Sequence, residues 1–162
     1  MASRFELVLC YFKKYSRLLS FRMSIGIVQC LDNKPADRSV EAARKESEVV
    51  IFDCVRRLLK ETKTRGCDID ILVINCSLFS PTPSLCSMVV NEFQMKSDVS
   101  SYNLSGMGCS AGLISIELVK NLLNSRPNSL ALVVSTENLT QNLYHGNERG
   151  FLLQNTLFRC GK

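Results

Sequence analysis

Residues 105–123 read SGMGCSAGLISIELVKNLL and set a cysteine, Cys109, among small residues where an alternating segment passes into an apolar helical pattern. A helix that opens at Cys109 aims free backbone N–H groups and the positive end of its dipole at the sulfur. Both favour thiolate over thiol, and a thiolate near neutral pH is a nucleophile. Gly106 and Gly108 permit a sharp turn with φ > 0 and let a substrate carbonyl come close to the backbone. Ala111 and Gly112 keep the first helical turn slim. A cysteine at a strand–helix junction is also a common structural residue, so these residues by themselves make Cys109 a candidate for attack by sulfur and no more.

The other seven cysteines lack such a setting. Cys54 falls in an apolar helical stripe, Cys67 follows a helix-ending Gly66, and Cys76 and Cys86 flank a loop; Cys10, Cys30 and Cys160 complete the set. None forms CxxC and the single histidine is His145, so a zinc site lacks its usual spacing and no metal is expected. Several cysteines sit inside apolar runs without a convincing signal peptide, which points to reduced, buried thiols. The 162 residues suffice for one domain with a real core, and 46% hydrophobic with 22% charged residues excludes disorder and fibrous repeats. The net charge of +5 does not point to nucleic acid. Residues 1–34 carry +4 of it in Arg4, Lys13, Lys14, Arg17, Arg22 and Lys34 against Glu6 and Asp32, and an excess confined to one leader reads as a solvated terminus. Windows 71–91 and 99–116 carry no charge, yet Asn75, Pro81 and Pro83 break the first and Ser and Gly fill the second, so neither is expected to span a membrane. The leader 1–34 is interrupted by charges; it fits a basic segment on an anionic surface, a targeting peptide or an unstructured start.

The elements that must hold Cys109 follow from periodicity. After a linker at 32–37, a helix is expected from Ser39, with Ile51, Val55, Leu58 and Leu59 on one face, joined by Val50 and Cys54, and with Gly66 as its stop. IDILVIN, 69–75, reads as a strand covered on both faces. Thr82 as N-cap and Pro83 at the first helical position predict the next helix, with Leu85, Met88, Val89 and Phe93 at helical spacing. VSSYNL, 99–104, is a second strand. The helix after Cys109 is apolar nearly all round and so expected at the centre of the fold. SLALVVST, 129–136, is a third buried strand. Strand–helix–strand–helix–strand at these spacings predicts an α/β layer fold with a mostly parallel, doubly covered sheet.

Three stretches carry a resemblance: ILVINCSLFSPTPSL (71–85), YNLSGMGCSAGLISIELVKNLL (102–123) and VVSTENLTQNLYHGNERGFLLQNTLFR (133–159). In this order the segment from Glu46 to Cys160 resembles the N-terminal half of the plant 3-ketoacyl-CoA synthases. These are condensing enzymes of very-long-chain fatty acid elongation, in the thiolase-fold group with type III polyketide synthases. The resemblance implies one incomplete half (βαβαβ) of a thiolase-like fold over 35–162, preceded by the divergent leader 1–34. It matches Cys109 to the acyl-accepting nucleophile, loaded from an acyl-CoA and then attacked by the enolate of malonyl-CoA, with no cofactor. The Cys109 backbone N–H would serve as an oxyanion donor. The loop SLFSPTPS, 77–84, would lie beside the acyl pocket, which makes Ser77, Pro81 and Thr82 substrate-binding candidates with Gly106 and Gly108; each is equally well an ordinary turn residue. Pairing of strand 99–104 with its twin implies a homodimer, and the family implies the endoplasmic reticulum membrane.

The stretch departs from the family pattern in three ways. The family's catalytic His and Asn lie in a C-terminal half beyond Lys162, and its paired membrane helices do not resemble the leader. His145 and Leu143 replace residues that are usually aromatic; His145 reads as a loop side chain. The expectation is an acyltransferase whose short chain is inactive alone, soluble or peripheral if it is the real product. The alternatives are a non-catalytic half-domain that associates with full-length synthases, or partial chemistry in which Cys109 is acylated without condensation.

Overall fold

The computed structural model describes residues 4–13, 17–26, 37–138, 140–142, 144 and 146–151; for 4–13, 17–26 and Thr140 only the backbone is described. Three strands form the parallel centre: β3 (Ile71–Asn75), β4 (Ser100–Leu104) and β5 (Ala131–Ser135). β3 lies between the other two, in register Ile71↔Ser100 and Ile71↔Ala131. Their β-branched runs are the reason: ILVI and ALVV are buried on both faces, as a strand with helices above and below must be. The expected strands at 69–75, 99–104 and 129–136 are thus present, each trimmed by one to three residues.

The leader corrects an expectation. Arg4–Lys13 forms β1 and Arg17–Gly26 forms β2, an antiparallel pair, and β1 runs antiparallel to β5, giving the order β2-β1-β5-β3-β4. FELVLCYF is rich in residues that favour extended backbone, and pairing with β1 removes the open edge that β5 would present. The candidate linker at 32–37 lies outside the described residues except for Asp37, whose Oδ1 accepts the Ser39 N–H at 2.9 Å.

Helices cover both faces of the parallel trio. On one side lie α1 (Val40–Thr62) and α2 (Leu85–Glu92), on the other α3 (Ala111–Ser125). In α1 the expected stripe is buried at Val50, Ile51, Cys54, Val55 and Leu58, extended by Ala43 and Ser47, while Leu59 is half-buried. Leu72, Ile74, Leu132 and Val134 meet it from the sheet, with Leu85 and Val89 of α2. Phe52 and Phe93 close the seam edge to face at 5.9 Å. Ser39 caps α1 as expected, its Oγ accepting from the Ala42 N–H at 3.1 Å.

Three expectations give way to local chemistry. Lys63, with φ at 52°, ends α1. Gly66 instead opens a 3₁₀ turn, where a side chain would run into the Phe93 backbone. Ser84 and not Thr82 caps α2, accepting from the Ser87 N–H at 3.2 Å, so Pro83 precedes the helix. Finally, α3 is buried on one side only. Ala111, Ser115 and Val119 are buried, Val119 in a cluster with Ile71, Val73, Ala131 and Val133, whereas Leu113 is 74% exposed and Ile114 39%. No described element covers that second apolar face.

Burial pushes the Glu46 carboxyl of α1 up to about 7. Because the folded value lies above the unfolded one, near 4.5, the folded state binds the extra proton, and stability is lost as pH rises through that interval. Glu46→Gln is therefore expected to raise stability by about 1–2 kcal/mol at pH 8, allowing for the partial exposure of the side chain, and to change little at pH 4. Urea denaturation of both proteins at the two pH values measures this; equal midpoints at pH 8 would contradict it.

Candidate active site

The carboxyl ends of the three parallel strands release the chain on one side of the sheet, and the candidate residues lie in the segments that follow. After β4 the chain turns through Gly106 (φ 74°) and Gly108 (φ 60°), both in the left-handed region. A Cβ at either position would meet nothing within 4 Å, so it is conformation and not crowding that calls for glycine there. An alanine at Gly108 would carry roughly 1–2 kcal/mol of backbone strain. The same openness leaves free space over both glycines.

Cys109 sits in a 3₁₀ turn, Gly108–Ser110, that runs directly into α3, and it is exposed. Ser110 Oγ donates to the Met107 carbonyl at 2.7 Å and closes the turn. The helix itself is pinned. Ser115 Oγ donates to the Ala111 carbonyl at 2.6 Å and accepts from Asn75 Nδ2 at 2.9 Å, while Ser135 Oγ donates to Asn75 Oδ1 at 2.8 Å. Asn75 and Ser115 are buried, and all these groups find partners. Gly112 faces Ser135, whose Oγ a Cβ there would meet at 3.5 Å, an ordinary van der Waals contact.

Of the loop candidates, the structure brings Ser77 to the turn: its Oγ donates to the Gly108 carbonyl at 3.3 Å. Pro81 and Thr82 are half-exposed and exposed in the loop ahead of α2, and no hydrogen bond among the described residues joins them to Cys109. Sequence reasoning passed over Glu137. Its Oε1 accepts from the Leu78 N–H at 2.8 Å and from Cys76 Sγ at 3.2 Å, and its Oε2 accepts from the Ser77 N–H at 3.2 Å. Only its place directly after a buried strand, within VVSTEN, marks it in the sequence. Asn138 beside it donates from Nδ2 to the Ala43 carbonyl and to Ser47 Oγ, tying this corner to α1. His145 and Leu143 lie outside the described residues, as do Cys30 and Cys160 and the side chain of Cys10.

The thiols divide sharply. Cys54, Cys76 and Cys86 are buried, and desolvation pushes each up to about 12, with Asp53 adding to it at Cys54 and Glu137 at Cys76. Cys67 is half-buried. Cys109 alone among the described cysteines is exposed. Among the described residues no group of three or more His, Cys, Asp or Glu side chains is placed to hold a metal.

A family model described as FAE1/Type III polyketide synthase-like protein matches residues 26–162. The chain belongs to this family. Relatives from Arabidopsis thaliana include 3-ketoacyl-CoA synthase 6, 54% identical over 144 residues covering 86% of this chain and 29% of the relative. Another is 3-ketoacyl-CoA synthase 11, 54% identical over 152 residues covering 91% of this chain and 30% of the relative. The chain thus spans about three-tenths of the length of these FAE1/type III polyketide synthase-like relatives. Among solved structures, 1,3,6,8-tetrahydroxynaphthalene synthase from Streptomyces coelicolor superposes with a TM-score of 0.64 at 22% identity, over 71% of this chain and 33% of that one. The type III polyketide synthase domain of Steely1 from Dictyostelium gives 0.62 at 20% identity, over 80% of this chain and 39% of that one. At that identity the likeness establishes the thiolase-like α/β fold alone.

A thiol whose pKa is near 12 is thiolate to roughly one part in ten thousand at pH 8. Iodoacetamide added to the folded chain at pH 8 is therefore expected to modify Cys109 at least about a hundredfold faster than Cys54, Cys76 or Cys86. Peptide mass spectrometry over a time course reads this directly, and comparable rates at Cys76 would refute the distinction drawn here.

Proposed function

We propose that this chain carries the acyl-accepting portion of a 3-ketoacyl-CoA synthase, with Cys109 as nucleophile. The observation that supports it most is the placement of an exposed cysteine on a turn of two positive-φ glycines at the start of α3, while three other thiols are buried and held protonated. In the loading step Cys109 Sγ forms a bond to the acyl carbon of a long-chain acyl-CoA, the carbon–sulfur bond to CoA breaks, and CoA leaves as thiolate. The carbonyl oxygen gains charge on the way, and N–H groups of a helix's first turn, which lack acceptors within the helix, can bind it. In the condensing step malonyl-CoA loses CO2, the resulting carbanion forms a carbon–carbon bond to the acyl carbon, and Cys109 leaves as thiolate, giving a 3-ketoacyl-CoA. The family resemblance assigns proton handling in that step to a His and an Asn outside the matched stretch, so loading is the half-reaction proposed for these residues by themselves. No resident cofactor enters either step.

Ser77, Gly106 and Gly108 are proposed to border the bound acyl group, with Pro81 and Thr82 further along the same loop. Homodimerisation through β4 is proposed as well: β4 ends the sheet, with its outer edge unpaired among the described residues. Membrane association at the endoplasmic reticulum is proposed from the family; no described helix is long and apolar enough to cross a membrane. The exposed Leu113 and Ile114 favour a second reading, a non-catalytic chain that associates with full-length synthases through α3.

Incubation with palmitoyl-CoA followed by intact-mass analysis decides between them. The proposal expects one added palmitoyl group, mapped to Cys109, absent in Cys109→Ala and released by hydroxylamine. An unacylated Cys109 in a chain that co-purifies with full-length synthases would leave the second reading standing in its place.

A further inference from the structure

Residues 77 and 78 leave the sheet after β3 has ended, where no strand offers their backbone N–H groups an acceptor. A single carboxylate from 60 residues away takes both: Glu137 Oε2 accepts from Ser77 and Oε1 from Leu78. Oε1 also accepts from Cys76 Sγ and from the Asn138 N–H at 3.3 Å. Hydrogen bonds to an ionised acceptor are the stronger kind, and bonds to adjacent N–H groups fix the direction of the chain as well as its distance. The buried Cys76 thiol, kept protonated, remains a donor to this cluster.

The segment so clamped reaches the nucleophile. Ser77 Oγ donates to the carbonyl of Gly108, the residue bonded to Cys109. Gly108 is at positive φ and nothing lies within 4 Å of where its Cβ would be, so among the described residues the hydroxyls of Ser77 and Ser110 are what brace the turn. We infer that Glu137 is a positioning residue for Cys109: through the Ser77 and Leu78 N–H groups it aims Ser77 Oγ at the Gly108 carbonyl and so fixes the orientation of the Cys109 sulfur. The inference rests on reading Cys109 as an acyl acceptor, but the contacts that carry it do not.

The test is a double-mutant cycle in the whole chain, with Ser77→Ala, Glu137→Gln and the combined variant. Two rates at Cys109 are followed by peptide mass spectrometry, acylation by palmitoyl-CoA and alkylation by iodoacetamide, beside thermal denaturation. Glutamine keeps one acceptor oxygen but cannot take both N–H groups. Each single variant is expected to lower the saturating acylation rate about three- to tenfold, and the double variant to be no slower than the slower single, because both act through one path. The iodoacetamide rates should show the same non-additivity. A lower melting temperature in Glu137→Gln with both rates unchanged would make the clamp a stabilising feature only and overturn the inference. So would multiplicative losses in the double variant, or a change confined to the half-saturating palmitoyl-CoA concentration. Should Glu137→Gln fail to fold, Ser77→Ala decides alone through the iodoacetamide rate, which no acyl contact affects: a wild-type rate sinks the inference and a slowed one at unchanged melting temperature supports it. If the wild type takes up no acyl group while alkylation still shows the coupling, the acyl-acceptor reading fails and the positioning role stands.

Discussion

A buried amide at the end of a strand governs this structure. Asn75 closes β3 on the face that meets α3, directly across from Ser135 in the parallel register. An amide shut away from water has to find partners, and leaving it without them costs about 1–3 kcal/mol. Ser115 supplies one from the second turn of α3, Ser135 the other from β5, and the Asn75 backbone carbonyl accepts the Thr136 N–H at 3.0 Å. The odd-numbered residues below it, Ile71 and Val73 with Ala131 and Val133, are purely apolar and allow the helix to slide. The polar knot at the top does not: hydrogen bonds fix both the rotation and the height of α3. The position of Cys109, two residues ahead of that helix, follows from it.

The parallel sheet brings the rest of the site to the same place. Strands running the same way end on the same side, and their exits converge there. The β3 exit contributes Ser77, the β4 exit Gly108 and Cys109, the β5 exit Glu137. Continuations of the ladder hold the exits in step, since Cys76 N–H donates to the Leu104 carbonyl just as Thr136 does to Asn75. Residues 60 apart in sequence thereby share one hydrogen-bonded corner. Asn138 carries the linkage through the sheet to α1 on the far face. A corner tied to both layers of helix is a stiffer support for a reactive side chain than a loop alone.

Much of this was legible in the sequence because it was written in periodicity. The β-branched runs ILVI and ALVV announce strands covered on both sides, and the Val50–Ile51–Cys54–Val55–Leu58 stripe announces the face of α1. The glycines around Cys109 announce a turn that only they adopt easily. What stayed hidden depends on contacts between distant residues. Nothing in SPTPS tells Ser84 from Thr82 as a cap until the fold sets which hydroxyl faces the Ser87 N–H. Gly66 looks like a helix stop, yet it is small because the Phe93 backbone crosses it. The leader's hairpin was obscured by its charges, which distract from the extended preference of the residues between them. Glu137 could not be distinguished from a solvated carboxylate, since its partners are backbone groups and a backbone N–H leaves no trace in a sequence.

The expectation for α3 failed in an informative way. A helix apolar nearly all round was read as central, and the sheet does claim Ala111, Ser115 and Val119, yet Leu113 and Ile114 face outward. Two rules meet there. A residue's apolar character records what covers it in the complete assembly, whereas the described residues supply only one covering layer. Among the described residues, a pattern written for burial on two sides is satisfied on one. The same mismatch bears on Cys109. Its sulfur lies at the end of a helix that is held on the sheet side and, among the described residues, unopposed on the other. The corner of Ser77, Glu137 and Asn75 can therefore set the sulfur's direction, whereas whatever packs over Leu113 would set how much water reaches it. Orientation and shielding are separate demands on the nucleophile proposed at Cys109, and the described residues supply the first.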